Sequence, residues 1–138
     1  LLGLFLQRPG LMGDSPVSRG DSLSREYVDR ALQYMNNNYS YNIRIQDIAS
    51  AIGIDRTYLY RIFMEQEQIS PKRYLIQLRV RTAAGMLANP KYTITEIGYS
   101  CGFKDAAAFS SQFRKSTGYT PKQFRKYLKS EKDTSNPL

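Results

Sequence analysis

The chain is written twice from one pattern. Ile45, Gln46, Asp47 and Ile48 return 49 residues later as Ile94, Thr95, Glu96 and Ile97, and Gly53 returns as Gly102. After one inserted residue the offset becomes 50: Asp55 matches Asp105, Phe63 matches Phe113, and Ser70-Pro71-Lys72 matches Thr120-Pro121-Lys122. Two copies are too few for a stacked solenoid, which needs at least three. The repeat therefore predicts a duplicated small module.

Each copy carries helical spacing and no convincing strand. Val28, Ala31, Leu32 and Met35 stand at i, i+3, i+4 and i+7, one face of a helix, and Ile45, Ile48, Ala49 and Ile52 repeat that spacing up to Gly53. Asp55 can cap a third helix with Leu59, Ile62 and Phe63 inward. Ser70 before Pro71 opens a longer one, running to about Ala88 with Leu75, Leu78 and Met86 on one side. Thr93 with Glu96 forms a capping box ahead of Ile94, Ile97 and Cys101. Asp105 caps a helix that packs Phe109 and Phe113. Thr120-Pro121 opens the last, with Phe124, Tyr127 and Leu128 on its inner face. The expectation is an all-α fold of about seven helices.

Within each copy the spacing suits a helix-turn-helix. Ala49 precedes Gly53 by four residues and Leu59 by ten; Gly98, Gly102 and Phe109 are their counterparts. A small residue lets two helices approach, a glycine permits the tight turn, and a large apolar residue anchors the second helix. The first motif is read at 45–68 and the second at 93–117. The helix at 71–88 joins them; eighteen residues at 1.5 Å each span roughly 27 Å. That is close to one turn of duplex DNA, about 34 Å, so the second helix of each copy could enter successive major grooves.

The outward positions of those two helices are Arg56, Thr57, Tyr60 and Arg61 in the first copy, and Ala106, Ala107, Ser110 and Ser111 in the second. Arginine can pair bidentately with guanine, whereas alanine and serine offer only methyl contacts and short hydroxyl bonds. The second copy should read bases less sharply. Lys104, Arg114, Lys115 and Lys122 around it suit phosphates, which hold position without reading sequence. Arg79 and Arg81 on the joining helix have solubility or intramolecular pairing as their plain role. Packing explains Tyr27, Tyr34, Tyr39 and Tyr74.

Charge points the same way. The chain is +8 overall. Residues 23–68 carry five Lys and Arg against six Asp and Glu, while residues 69–129 carry twelve against two. One basic half favours a polyanionic partner, most often nucleic acid. A helical interaction module meeting an acidic protein is the alternative. An enzyme is disfavoured: there is no His for a nucleophile–base pair, one Cys, and no paired carboxylates. No cofactor, metal or membrane segment is expected. Cys101 reads as a core residue.

These residues resemble the AraC family of bacterial transcription regulators. The likeness spans about residues 23–128 and rests on IQDIASAIGIDRTYLYRIF, ISPKRYLIQLRV, ITEIGYSCGFKDAAAFSSQFRK and TGYTPKQFRKYL. It implies two helix-turn-helix subdomains on a long central helix, binding double-stranded DNA and usually activating transcription through RNA polymerase. The family's base-facing residues fall by position on Arg56, Thr57, Tyr60 and Arg61, then on Ala106, Ala107, Ser110 and Ser111. Arg44 stands where a Ser or Thr usually caps, Gln68 where Gly usually ends the first recognition helix, and Ser111 where a long polar residue is frequent.

The flanks read differently. Residues 1–22 are rich in Gly and Pro and read as a linker, with residues 1–6 as the end of a preceding domain; residues 130–138 read as a disordered tail. Many family members place a sugar-sensing, dimerising domain ahead of this unit. The resemblance thus implies a cytoplasmic, nucleoid-associated regulator of carbohydrate genes, monomeric as this piece and dimeric with the missing domain that would bind the sugar.

Overall fold

The computed structural model describes residues 19–135, with side chains from 22 to 132; the readings placed on residues 1–18 and 136–138 lie outside the described residues. Seven helices and no strand appear among the described residues. They are α1 (Arg19–Asn38), α2 (Ile45–Ile52), α3 (Arg56–Glu67), α4 (Pro71–Leu87), α5 (Ile94–Ser100), α6 (Ala106–Thr117) and α7 (Pro121–Ser135). None is long and apolar enough to cross a membrane.

The helix starts are set by local chemistry. The Asp55 carboxylate accepts from the backbone N–H of Thr57 at 2.9 Å, and the Ser70 hydroxyl accepts from that of Arg73 at 3.1 Å. Thr93 and Glu96 exchange bonds at 3.0 Å in both directions, which holds the Glu96 carboxyl below the usual range. Asp105 accepts from Ala108 at 2.7 Å, and Thr120 and Gln123 form a second reciprocal pair. Each cap satisfies backbone donors that the helix itself cannot. Arg44 begins α2 without a side-chain acceptor. Asp47 compensates by accepting from the Arg44 N–H at 2.8 Å and pairing with its guanidinium at 3.6 Å.

Helix ends show one irregularity. Gln68 closes α3 at φ 61°, the one non-glycine residue with positive φ among those described. Its counterpart Gly118 closes α6 at φ 86°. A left-handed residue with a Cβ costs about 1–2 kcal/mol relative to one without, before the entropy of glycine is counted. Gln68→Gly should therefore raise stability by roughly 0.5–1 kcal/mol, read as a higher midpoint in urea. An unchanged or lower midpoint would show that the Gln68 amide bond to the Glu65 carbonyl, at 3.0 Å, outweighs the strain.

Two cores form, one per module. The first takes Val28, Ala31 and Met35 from α1, Ile48 and Ala49 from α2, and Leu59, Ile62 and Phe63 from α3. The second is more aromatic: Phe103, Phe109, Phe113 and Phe124 follow one another with ring centroids 5.0–5.7 Å apart. Gly98 is there for closeness. A Cβ on it would stand 2.7 Å from the Phe109 ring.

Helix α4 serves both cores, and here the single-stripe reading fails. Tyr74, Leu75 and Leu78 enter the first core, whereas Val80, Ala83 and Leu87 enter the second, where Met86 also packs. Residues buried on opposite sides cannot share one face, so a helix shared between two cores loses the one-sided pattern of an ordinary amphipathic helix. Thr82, one turn after Leu78, is half-buried and donates its hydroxyl to the Leu78 carbonyl at 2.9 Å. Of the two plain roles read for Arg79, solubility and intramolecular pairing, the structure shows the second. Its Nε donates to the Tyr39 carbonyl and one terminal nitrogen to the Tyr41 carbonyl, both at 2.9 Å. Arg125 grips the loop after α4 likewise, donating to the carbonyls of Leu87, Asn89 and Tyr92.

The ends of the domain also depart from the sequence reading. Helix α1 begins at Arg19, inside the stretch read as linker. Helix α7 continues to Ser135, inside the stretch read as disordered. Neither stretch contains a proline at those positions to stop a helix. Tyr127 is 45% exposed rather than inward and stacks on Tyr119 at 5.7 Å, and the Glu131 carboxylate beside it raises its hydroxyl pKa.

Candidate nucleic-acid interface

Capping by Asp55 and burial of Leu59, Ile62 and Phe63 fix the roll of α3. The opposite face is left open. Arg56, Thr57, Tyr60 and Arg61 are all exposed, Tyr60 by 53%. They are not equivalent. The Arg56 side chain makes no hydrogen bond or ion pair with another described residue. The Arg61 guanidinium lies 5.1 Å from the centroid of the Tyr58 ring and 3.5 Å from Glu65. Met64, 37% exposed, completes this face. Sequence reasoning missed it because a methionine reads as core, although it stands four residues after Tyr60 and seven after Thr57, in the outward stripe.

Helix α6 presents the matching face. Ala106, Ala107 and Ser111 are exposed and Ser110 is half-buried. Ala107, Ser110 and Ser111 share one shallow depression with Arg114, Lys115 and Thr120. Arg114, expected beside the helix as a phosphate contact, thus stands on the face itself. The offset of 50 places it on Met64, a signal the repeat already contained. The second helix therefore has a long charged reach two turns in, which its alanines and serines lack.

Between the modules lies a cleft of about 460 Å³. Arg56, the first residue of α3, stands on one rim, and Ala108 and Gln112 of α6 on the other. Arg44, Lys72 and Lys104 add positive charge, Arg79 is engaged with the Tyr39 and Tyr41 carbonyls, and no carboxylate lines the cleft. Neither Lys72 nor Arg44 reads from the sequence as a DNA contact. Lys72 was legible as the repeat partner of Lys122, which is exposed near the start of α7. Cations around a cleft between two exposed helices suit a phosphate backbone crossing from one groove to the next.

Comparison with known proteins agrees with this geometry. A family model described as a helix-turn-helix domain matches residues 48–127. The Msm operon regulatory protein of Streptococcus mutans is 35% identical over 114 residues, covering 83% of this chain and 41% of that protein. The melibiose operon regulatory protein of Escherichia coli K12 is 28% identical over 143 residues, covering 96% and 47%. The chain thus spans less than half the length of these two relatives. A transcriptional regulator with an AraC-type DNA-binding domain from Chromobacterium violaceum superposes with a TM-score of 0.68 at 29% identity, over 78% of this chain and 96% of that one. With the family model covering most of both modules, the chain belongs to the AraC family of transcription regulators and carries its paired helix-turn-helix DNA-binding domain.

Proposed function

We propose that the chain reads a specific duplex DNA sequence, with α3 and α6 in successive major grooves, and so regulates transcription of a sugar-utilisation operon. The observation that carries this reading is the exposure of two capped recognition helices on the two rims of one cationic cleft. Arg56, whose side chain is unpaired among the described residues, suits guanine. Thr57, Tyr60 and Met64 suit base edges and thymine methyls. Arg61 can leave Glu65 at little cost, because exposed pairs contribute about 0–1 kcal/mol. On α6, Ala106 and Ala107 suit methyl contacts, Ser110 and Ser111 short hydroxyl bonds, and Arg114 a second guanine. Lys104, Lys115 and Lys122 suit phosphates. The operon class rests on relatives named for sugar operons, the melibiose operon regulatory protein and a lactose operon transcription activator of Staphylococcus xylosus, 30% identical over 103 residues. Activation through RNA polymerase, and a sugar sensed by a domain that also dimerises the whole protein, complete the proposal.

Selection from a randomised duplex library, followed by binding at two salt concentrations, tests it. One sequence with two half-sites about a helical turn apart should emerge, with affinity falling steeply as salt rises. Recovery of no preferred duplex refutes the reading. Arg56→Ala and Arg114→Ala should each cost about 1–3 kcal/mol on the selected duplex and relax one base pair, in different half-sites. An equal loss on a scrambled duplex would instead make that arginine a phosphate contact.

A further inference from the structure

We infer that Arg79 and Gly102 form a lock that fixes the distance and angle between the two recognition helices, and that this lock makes the chain selective for the spacing of its half-sites. The inference rests on the DNA-binding reading above.

Arg79 stands at the seam of the molecule. Leu78 before it is buried in the first core and Val80 after it in the second. From there its guanidinium reaches back to the first module, holding the carbonyls of Tyr39 and Tyr41 at 2.9 Å each, just past the end of α1. The second module comes to the same point. Gly102, in the turn between α5 and α6, lies so close that a Cβ on it would overlap the Tyr39 carbonyl oxygen and stand 2.8 Å from Arg79 Nε. Three segments therefore converge on one carbonyl: the end of α1, the middle of α4, and the turn that precedes the second recognition helix. Burial at this point lowers the guanidinium pKa from its ordinary value, as expected for a group taken out of water to hold backbone.

The surroundings give the lock something to restrain. The cleft beside Arg79 leaves the modules unpacked on the side that carries α3 and α6. Without the grip, α4 would be the main connection across that gap. A planar guanidinium with two donors at fixed angles sets orientation as well as distance, which a lysine ammonium cannot do. Arg125 supplies an internal comparison. It makes the same kind of grip, on Leu87, Asn89 and Tyr92, but joins α7 only to the end of α4 and the loop before α5. It can stabilise the second module without setting the position of the first.

One added base pair moves a half-site by roughly 3.4 Å and turns it by about 35°. A locked pair of helices cannot follow that change, whereas a hinged pair can. The test uses the 138-residue chain and the duplex recovered by the wild type, with the spacer between half-sites changed by −1, 0 and +1 base pair, alongside a single half-site. Wild type should lose about tenfold in affinity for either altered spacer, as the second contact loses its effective concentration. Arg79→Lys, which keeps the charge but not the two fixed donors, should compress that ratio to about twofold by weakening binding at the natural spacing more than binding to a single half-site. Arg125→Lys, even where it lowers the melting temperature, should keep the wild-type ratio. A wild-type ratio in Arg79→Lys, or a compressed ratio in Arg125→Lys, overturns the lock. Failure of the wild type to recover any preferred duplex overturns the DNA-binding reading and the lock's role with it.

Discussion

Gly102→Ala should lose about 3 kcal/mol or more of stability, while Gly53→Ala, at the matching position of the first copy, should lose about 1 kcal/mol. Both glycines end the first helix of a helix-turn-helix with left-handed backbone, at φ 93° and 80°. Alanine pays the same backbone strain at either site. What differs is the space. A Cβ at Gly53 meets nothing within 4 Å, whereas one at Gly102 meets the Tyr39 carbonyl and the Arg79 guanidinium. The carbonyl belongs to backbone and cannot swing away, so the overlap displaces either the turn or the loop after α1. Urea denaturation of the two variants separates the shared strain from the contact. Equal losses would mean that the two modules relax apart at this point at no cost.

Thr82→Pro should keep most of the helix content and bring affinity for the two-half-site duplex down towards that for one half-site. A proline ring clashes with the carbonyl four residues earlier and removes a backbone donor, at a cost of about 3 kcal/mol or more. That carbonyl belongs to Leu78, which also accepts the Thr82 hydroxyl at 2.9 Å, so it loses both partners at once. The break falls between Leu78, in the first core, and Ala83 and Leu87, in the second. Each module keeps its own caps. Circular dichroism must show that helix survives, and binding to single and paired half-sites then gives the result. Unchanged paired-site affinity in a folded variant would show that the rigidity of α4 has no part in DNA binding.

What the sequence made legible was local. Asp55, Ser70, Thr93, Asp105 and Thr120 announce helix starts because a cap acts within three residues of itself. The inward faces of α1, α2, α3 and α6 follow from one period on one side. The exposed rows on α3 and α6 were legible for the same reason, as the remainder after the inward residues are removed. Met64 and Arg114 belonged to those rows by spacing, but a methionine suggested core and a flanking arginine suggested phosphate. The illegible parts are contacts between segments far apart in the chain. Arg79 holds Tyr39 and Tyr41 from about 40 residues away, and an arginine can donate to any carbonyl, so nothing in its neighbours' identities names the partner. Helix α4 concealed its role because neighbouring residues point into different cores, which erases the periodicity that sequence reasoning uses.

Sharing α4 also has a consequence for how the domain comes apart. A module of this size has a single small core and little margin as an independent unit. Leu78 and Val80 are neighbours in one helix, so fraying on one side withdraws the support of the other. The two halves should therefore melt in one cooperative transition. Cys101 can report it from the far side. Its thiol is fully buried against the Met86 sulfur at 3.7 Å, and burial pushes its pKa up to about 11. An alkylating reagent should reach it only when the whole domain opens. Unfolding provoked at α1 should then expose a sulfur in the other module, and the two copies behave thermodynamically as one body.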